Sequence, residues 1–478
     1  MRFLGIDVGT TNMKCGVYDV DGNLLYLEGR EYGTKRRELA DYIDVETLVN
    51  TAKELLLDAY KACPYDTIAV SSLGESFVLL GSDDEVLFLP MLYTDARGKD
   101  EAQSVMDKVD ELYAISGVAP QGMYSAYKLM WIKNNAPQIY SKGAKAMLVA
   151  EYLGYVLTGV RAVDYASASR TGVFDVKNKV FSSRACDILG LDVQLFGNPV
   201  KSGSIVGQVT VPGLEKVTLV AGGHDQICAS LGAGAVEAGA CSDGMGTVEC
   251  ITAVYREPFT AYDMAISGYP NVPFAIDDLY ASYLLNYSCG SSVEWWREVS
   301  GHKVAKDFFA LEAEFETDTP TGILCLPYFA GAATPYQNIE AKGALIGLTL
   351  NDGAKRIYQA ILEGLCYEMR LNLDKVSAYG VKPTKLIATG GCSKSVAWLQ
   401  MKANIIGLPV YPLKSREAGI CGSAMLGAHA LTGESVESLT ERFVKLGEPF
   451  MPNDVAHDKY TVEYQKYRTL YETIKNIL

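Results

Sequence analysis

Histidine is scarce in this chain, four in 478 residues. None of the four stands in ligand spacing with another histidine or a cysteine, which argues against a zinc site. Eleven cysteines are present, but there is no C-x-x-C pair, and an odd, dispersed set reads as reduced thiols rather than a disulfide framework. No run of 18 apolar residues occurs, so no membrane-spanning helix is expected. The N-terminus carries no charged-then-apolar leader. Basic residues are outnumbered, 43 Lys and Arg against 57 Asp and Glu, for a net charge of −14. That balance disfavours nucleic acid and anionic membrane as partners, because phosphate neutralisation needs clustered basic side chains. These absences together predict a cytoplasmic protein. They leave an anionic small-molecule substrate open, since a local site can oppose the net charge. No low-complexity or Pro-rich linker divides the chain, so its parts should share a packed interface.

What is present is an ordinary globular composition, 49% hydrophobic and 21% charged, long enough for two to four domains. The chain opens on Arg2 to Asp7 and Met13 to Tyr18, two apolar runs that read as antiparallel strands joined by the turn Gly9-Thr10-Thr11-Asn12. Gly9 lets an anion approach the backbone, and the hydroxyl and N–H groups after it can form a nest of donors. Asp7 ends the first strand beside that turn, where its carboxylate could reach phosphate through a hydrated Mg²⁺. A tight hairpin with an incidental aspartate is the plain alternative. A second hairpin of the same kind weighs against it: Ala240 to Val254 is again strand, Gly246-Thr247 turn and strand, about half a chain later. Two halves that each open on a Gly-Thr hairpin suggest a duplicated fold with two anion-gripping turns facing one cleft.

Between the hairpins the pattern gives a third meander strand over Leu24 to Tyr32 and a helix capped by Asp44 with Val45, Leu48, Val49, Ala52, Leu55, Leu56 and Ala59 on one face. Strands follow at Thr67 to Ser72 and Phe77 to Leu80. Glu75, between these strands, is either a solvated loop carboxylate or a ligand for hydroxyls in a cleft. Asp95 and Arg97 either cap and pair at the start of a helix from Lys99 to Ser116 or bind polyol hydroxyls. Trp131, on an amphipathic helix from Met123 to Asn135, reads as packing. The polar stretch Asp164 to Asp175, with Ser167, Ser169, Arg170 and Thr171, has no clear assignment. Leu219 to Ala221 runs into Gly222-Gly223-His224-Asp225-Gln226, expected to turn sharply into a helix. There Asp225 is placed either to take a proton from a hydroxyl or to serve as an N-cap. In the second half, a strand at Leu279 to Tyr287 and a helix after Cys289 lead, through an acidic connection, to a strand over Gly322 to Phe329. Asp352 is expected to cap a long helix to about Tyr379. Leu386 to Thr389 meets Gly390-Gly391, which allows a flat ring or a phosphate to lie against backbone, or a helix to pack closely. Small residues around Gly422-Ser423-Ala424 permit a close helix approach suited to a hinge.

With these pieces in place, the chain resembles the FGGY family of carbohydrate kinases, within the actin and hexokinase-like ATPase superfamily. The match runs from Leu4-Gly-Ile-Asp-Val-Gly-Thr-Thr11 to Gly422-Ser-Ala424. Met123 to Asn135 fits one family signature, with Lys128 and Trp131 at its fixed positions. Gly343 to Leu348 followed by Ile357 to Glu363 fits the other, and Arg356 departs from it as a surface change. The resemblance implies an α/β fold of two actin-like (ribonuclease H-like) lobes, residues 1–238 and 239–478, each a mixed five-stranded sheet flanked by helices, with a cleft between them. The first lobe would hold sugar, phosphate and base, and the second the nucleotide. The resemblance also implies ATP-dependent phosphorylation of a sugar or polyol hydroxyl, with Asp225 as base and Mg²⁺ held by Asp7 through water. Gly9, Thr10, Thr11, Gly246 and Thr247 would grip phosphates, and Gly390 and Gly391 would border adenosine. Gly74, Glu75, Asp95, Asp225 and Gln226 would face the sugar. Gly74-Glu75 departs from the Met-His pair of the family's xylulose kinases and the Arg-Glu pair of its glycerol kinases. Glu75 favours a neutral pentose, pentulose, tetritol or similar polyol. A gluconate-like acid would meet repulsion from Glu75, Asp95 and Asp225 unless a Lys or Arg intervened. A gluconate-type or glycerol-type kinase of the same family, a nucleotide-driven, chaperone-like ATPase and an inactive sugar sensor are the competing readings, and a homodimer is left open.

Overall fold

The structure, a computed structural model, describes residues 1–37, 40–301, 310–415 and 417–477. Part of the acidic connection expected after Trp296, residues 302–309, lies outside the described residues. Two six-stranded mixed sheets form the frame. In the first, Arg2–Val8 is central, with Asn12–Asp19 and then Leu24–Glu31 antiparallel on one side, and Thr67–Ser72 and then Thr218–His224 parallel on the other. In the second, Ala240–Met245 is central, with Glu249–Tyr255 and Tyr280–Asn286 antiparallel on one side, and Lys385–Thr389 and Val410–Pro412 parallel on the other. These five strands correspond one for one, which is the duplication that the two Gly-Thr hairpins foreshadow. The five-strand expectation is exceeded by one edge strand per sheet. Ile205–Gln208 flanks the parallel side of the first and Val272–Pro273 the antiparallel side of the second.

The helix Val45–Ala62 buries the expected face, Val45, Leu48, Val49, Ala52, Leu55, Leu56 and Ala59. Other elements differ from the sequence reading. The helix expected over Lys99 to Ser116 is broken into Lys99–Gln103 and Val109–Ser116 with a 3₁₀ turn between them. Asp352 does not cap the long helix Ala354–Ser377, whose N-cap is Gly353. It accepts instead from Thr349 N, 2.7 Å, and pairs with the half-exposed Arg356 at 2.8 Å. Gly222 and Gly223 are not a turn: the strand runs on through them to His224, with a bulge between Val220 and Gly223. The unassigned stretch after Asp164 contains a short helix, Tyr165–Ser169, capped by the Asp164 carboxylate on Ser167 N at 2.8 Å.

The helix Ala418–Thr432 joins the halves. It crosses back to pack on the strands Arg2–Val8 and Thr67–Ser72 and on the helix Asp225–Ala233. At that crossing the backbones touch: a methyl on Gly422 would run into the carbonyl oxygen of Cys228, and one on Gly232 into that of Ala418. The small residues noted around Gly422 serve this approach. Among the described residues no helix is long and apolar enough to cross a membrane.

Candidate active site

The ends of the first sheet's parallel strands carry the carboxylates. Asp7 lies opposite Ser71 in the register and accepts a 2.7 Å hydrogen bond from its hydroxyl. Burial raises the Asp7 carboxyl above its ordinary value, and Glu417, near the start of the crossing helix, adds to the rise. Asp225 is the first residue of the helix Asp225–Ala233, with His224 at the N-cap. Its Oδ1 accepts from Gln226 N at 2.6 Å. The Asp225 side chain keeps 41% of its surface, yet its carboxyl is pushed up to about 8, first by desolvation and then by the charges of Asp7 and Glu75.

Glu75 is neither solvated nor free. Arg170, from the stretch that sequence left unassigned, places Nε at 2.7 Å and a terminal nitrogen at 2.6 Å from the same oxygen, Oε1. Both side chains are about 5% exposed. Burial pushes the Glu75 carboxyl up, and the Arg170 guanidinium more than reverses this, holding it below the usual range. The guanidinium lies over the Tyr124 ring at 4.9 Å and the Tyr283 ring at 5.4 Å. Gly74 makes the pair possible, since a methyl there would meet Arg170 Cγ at 2.5 Å and His224 Cδ2 at 2.6 Å. His224 stands between the two carboxylates, Nε2 4.0 Å from Glu75 and Nδ1 3.3 Å from Asp225. Burial lowers its pKa to about 3, so the imidazole is neutral. Tyr283, on the second sheet, shares a 2.9 Å hydrogen bond with His224 Nδ1 and stacks on the ring. One tyrosine thus touches Arg170 and His224 from the opposite half of the molecule.

Asp95 is turned toward its own neighbour. Its carboxylate accepts from the backbone N and Nε of Arg97, both at 2.9 Å, and pairs with the guanidinium terminus. Arg97 is held between Tyr42 and Trp131, at 4.9 and 5.1 Å from their ring centres. Trp131 is therefore a platform for a cation as well as packing. Lys128, fully buried, donates to the Asp95 carbonyl at 3.1 Å. Burial lowers its pKa to about 8, against the opposing pull of Asp95 and, more weakly, Glu75.

The turn residues lie where the hairpins place them. Gly9 N bonds to Asn12 O at 2.9 Å, and the carbonyl of Thr11 receives Tyr32 N and Gly33 N. The Thr10 and Thr11 hydroxyls have no partner among the described residues. The second turn, Gly246-Thr247, is sealed by the start of the helix Gly290–Val299. Cys289 N reaches Thr247 O at 3.1 Å, and Gly290 N reaches Gly246 O at 2.9 Å. Gly390 lies beside this turn with φ 86°, and a side chain there would strike the Met245 carbonyl 2.6 Å away. Gly391, next to it, is exposed with open space over its Cα. Beneath the second turn, Lys402 is fully buried between Asp243 and Glu249 and bonded to both.

Arg170, His224 and Tyr283 are the residues that sequence reasoning missed. Arg170 and His224 stood in stretches already marked as polar or glycine-rich. Tyr283 lay in an apolar strand and gave no signal.

The structure thus has paired carboxylates at strand ends of the first sheet, a Gly-Thr turn on each of two duplicated sheets and glycines beside the second turn, the two-lobed α/β frame of an actin-like fold. Comparison with known families gives the particular one. The N-terminal domain model of the FGGY family of carbohydrate kinases matches residues 2–232, and its C-terminal domain model matches residues 244–431. The chain belongs to this family and is an ATP-dependent sugar or polyol kinase. It is 25% identical over 489 residues to the xylulose kinase of Bacillus subtilis (strain 168), covering 99% of this chain and 96% of that protein. It is likewise 25% identical over 485 residues to the xylulose kinase of Escherichia coli (strain K12), covering 99% of both. Its fold superposes on the crystal structure of gluconate kinase from Lactobacillus acidophilus with a TM-score of 0.92 at 22% identity, over 99% of this chain and 98% of that one.

Proposed function

We propose that the chain phosphorylates a neutral ketose or polyol of xylulose-like size, with Asp225 as the general base. The observation that carries this is the Asp225 carboxyl: recessed, still open to a ligand on one side, and raised to about 8 by burial and two neighbouring carboxylates. A base tuned near the working pH is what proton removal from an alcohol needs. Its Oδ1 accepts from Gln226 N, leaving Oδ2 to receive the hydroxyl proton. Glu75, Asp95 and Gln226 are assigned to the sugar and Gly74 to the space beside it. Because Arg170 and Arg97 occupy their carboxylates, Glu75 and Asp95 act as oriented acceptors rather than as free charge.

The site residues suit the phosphates and metal that the family implies. Thr10 and Thr11 hold out hydroxyls unpartnered among the described residues beside Gly9, Gly246 and Thr247 form the matching turn, and Gly390 packs against that turn while Gly391 leaves open space for a ring. Asp7 keeps one oxygen outside its bond to Ser71 and would hold Mg²⁺ through water. When bound, MgATP supplies the phosphoryl group and charge neutralisation; the chain's part is to position the groups and accept one proton. We place the lobe boundary between residues 238 and 239, in the interval that the two family models leave between them.

A gluconate-type acceptor is the second reading, and a specific observation favours it. The repulsion expected from Glu75 and Asp95 is cancelled by Arg170 and Arg97. Sugar-dependent ADP release across pentuloses, polyols, hexuloses and gluconate decides between them. A strong response to a neutral ketose that vanishes in Asp225→Asn supports the first reading. A gluconate response overturns it, and turnover retained in Asp225→Asn removes the base assignment.

A further inference from the structure

Ten of the eleven cysteines are buried, and the eleventh, Cys392, is partly accessible. It directly follows Gly390-Gly391, in the 3₁₀ turn Cys392–Lys394. Its sulfur lies at the start of the helix Gly290–Val299, where a methyl on Gly290 would stand 3.2 Å from Cys392 Sγ. The residue that caps this helix is Cys289, and the two thiols interact with each other. The one cysteine that is not buried therefore lies beside a second, buried one. Cys289 is also the residue whose N–H holds the Thr247 carbonyl.

The surroundings favour oxidation of one partner over the other. The interaction with Cys289 holds the Cys392 thiol below its ordinary value against burial; the buried Lys402 ammonium adds to this, and the Glu312 and Asp243 carboxylates oppose it. The same contact, with burial, drives Cys289 far up. A helix N-terminus and a nearby cation are the settings in which a thiol becomes a thiolate. The pair thus has an accessible nucleophile and a protonated neighbour in position to resolve it.

We propose that Cys289 and Cys392 are an oxidisable pair that closes into a disulfide at the border of the nucleotide site and switches the kinase off. The oxidant is a peroxide. The Cys392 thiolate attacks one peroxide oxygen, an S–O bond forms, the O–O bond breaks, and the other oxygen leaves as water or alcohol after taking a proton. Cys289 sulfur then attacks the sulfenic sulfur; the S–S bond forms, the S–O bond breaks, and hydroxide departs as water with the Cys289 proton. A dithiol restores both thiols by exchange. Closure brings the two sulfurs to the S–S length of about 2.05 Å. The bond ties the turn after Gly391 to the helix start that seals Gly246-Thr247, so both assigned nucleotide contacts move together. The switching half of the proposal rests on that nucleotide assignment; the chemical half does not.

The test treats the reduced full-length kinase with hydrogen peroxide and maps its peptides. The expected result is a single new species, the Cys289 and Cys392 peptides linked with loss of two hydrogens. It should be accompanied by a rise of about ten-fold or more in the KM for ATP, reversed by dithiothreitol and absent in Cys392→Ser and in Cys289→Ser. MgATP should slow the oxidation. No linkage, or linkage of other cysteines, overturns the pair. Linkage without a change in nucleotide binding overturns the switch. In that case Gly391→Leu, which the open space above Gly391 accommodates, separates the causes: normal nucleotide binding in this variant shows that the nucleotide lies elsewhere, and weakened binding shows that the disulfide is innocuous.

Discussion

A carboxyl that titrates near 8 in the free protein has consequences for both rate and stability. As the proposed base, Asp225 would have to lose its proton to act, so kcat/KM of the free enzyme is expected to rise with pH through a limb well above the ordinary carboxylate range. Asp225→Asn should lower kcat by about 10²–10⁴-fold while sugar and nucleotide still protect the fold in a thermal-shift assay. The stability sign follows from linkage. Between the ordinary value of 3.8 and about 8, folded Asp225 holds its proton more tightly than the unfolded chain does, so the wild type loses stability as pH rises through that window. The asparagine does not titrate. Its Tm should therefore gain on that of the wild type from pH 4 to about 8 and level off above; a constant gap would show that the carboxyl is not raised. Glu75 and Arg170 make a different case. Removing one member of a buried pair strands the other, at a cost of about 3–5 kcal/mol. Arg170→Met should therefore destabilise markedly, and adding Glu75→Gln should restore part of the loss. Additive denaturant midpoints for the two changes would refute the coupling.

At the level of elements, the crossing of Asp225–Ala233 with Ala418–Thr432 has no slack. A methyl at Gly422 meets the Cys228 carbonyl, a backbone atom that cannot rotate away. Gly422→Ala is expected to cost about 1–3 kcal/mol through overpacking, read as a lower urea midpoint, and to shift Asp225, which begins the partner helix. An unchanged midpoint would mean that the helices slide freely. This crossing was legible as small residues around Gly422, and both hairpins were legible because apolar runs broken by Gly-Thr have few other solutions. The break near Ser104 was not, since the helical pattern of Lys99 to Ser116 contains no glycine or proline to mark it. Nor was the Glu75–Arg170 pair: its members are 95 residues apart, and without an alignment nothing in the chain ties one to the other. Asp352 looked like a cap because aspartate often is one; the Thr349 N–H and Arg356 claimed its carboxylate first.

At the scale of the whole molecule, Tyr283 is the reach of one half into the other. Its hydroxyl meets His224 and its ring meets Arg170. Tyr283→Phe keeps the ring and removes the hydrogen bond. It should raise the sugar KM more than it lowers kcat, whereas Tyr283→Ala should raise KM and lower kcat further; a Tyr283→Phe variant indistinguishable from wild type would leave the hydroxyl without a role. The crossing helix has a further meaning in time. Residues 418–432 cover strands laid down at residues 2–8 and 67–72. At synthesis rates of about 5–20 residues per second, the first strand waits roughly 20–80 s for its cover to leave the ribosome. During that interval an apolar sheet face stands open, so a nascent chain stalled anywhere before residue 418 should be a strong client for chaperones, and release of the last sixty residues should end that dependence abruptly.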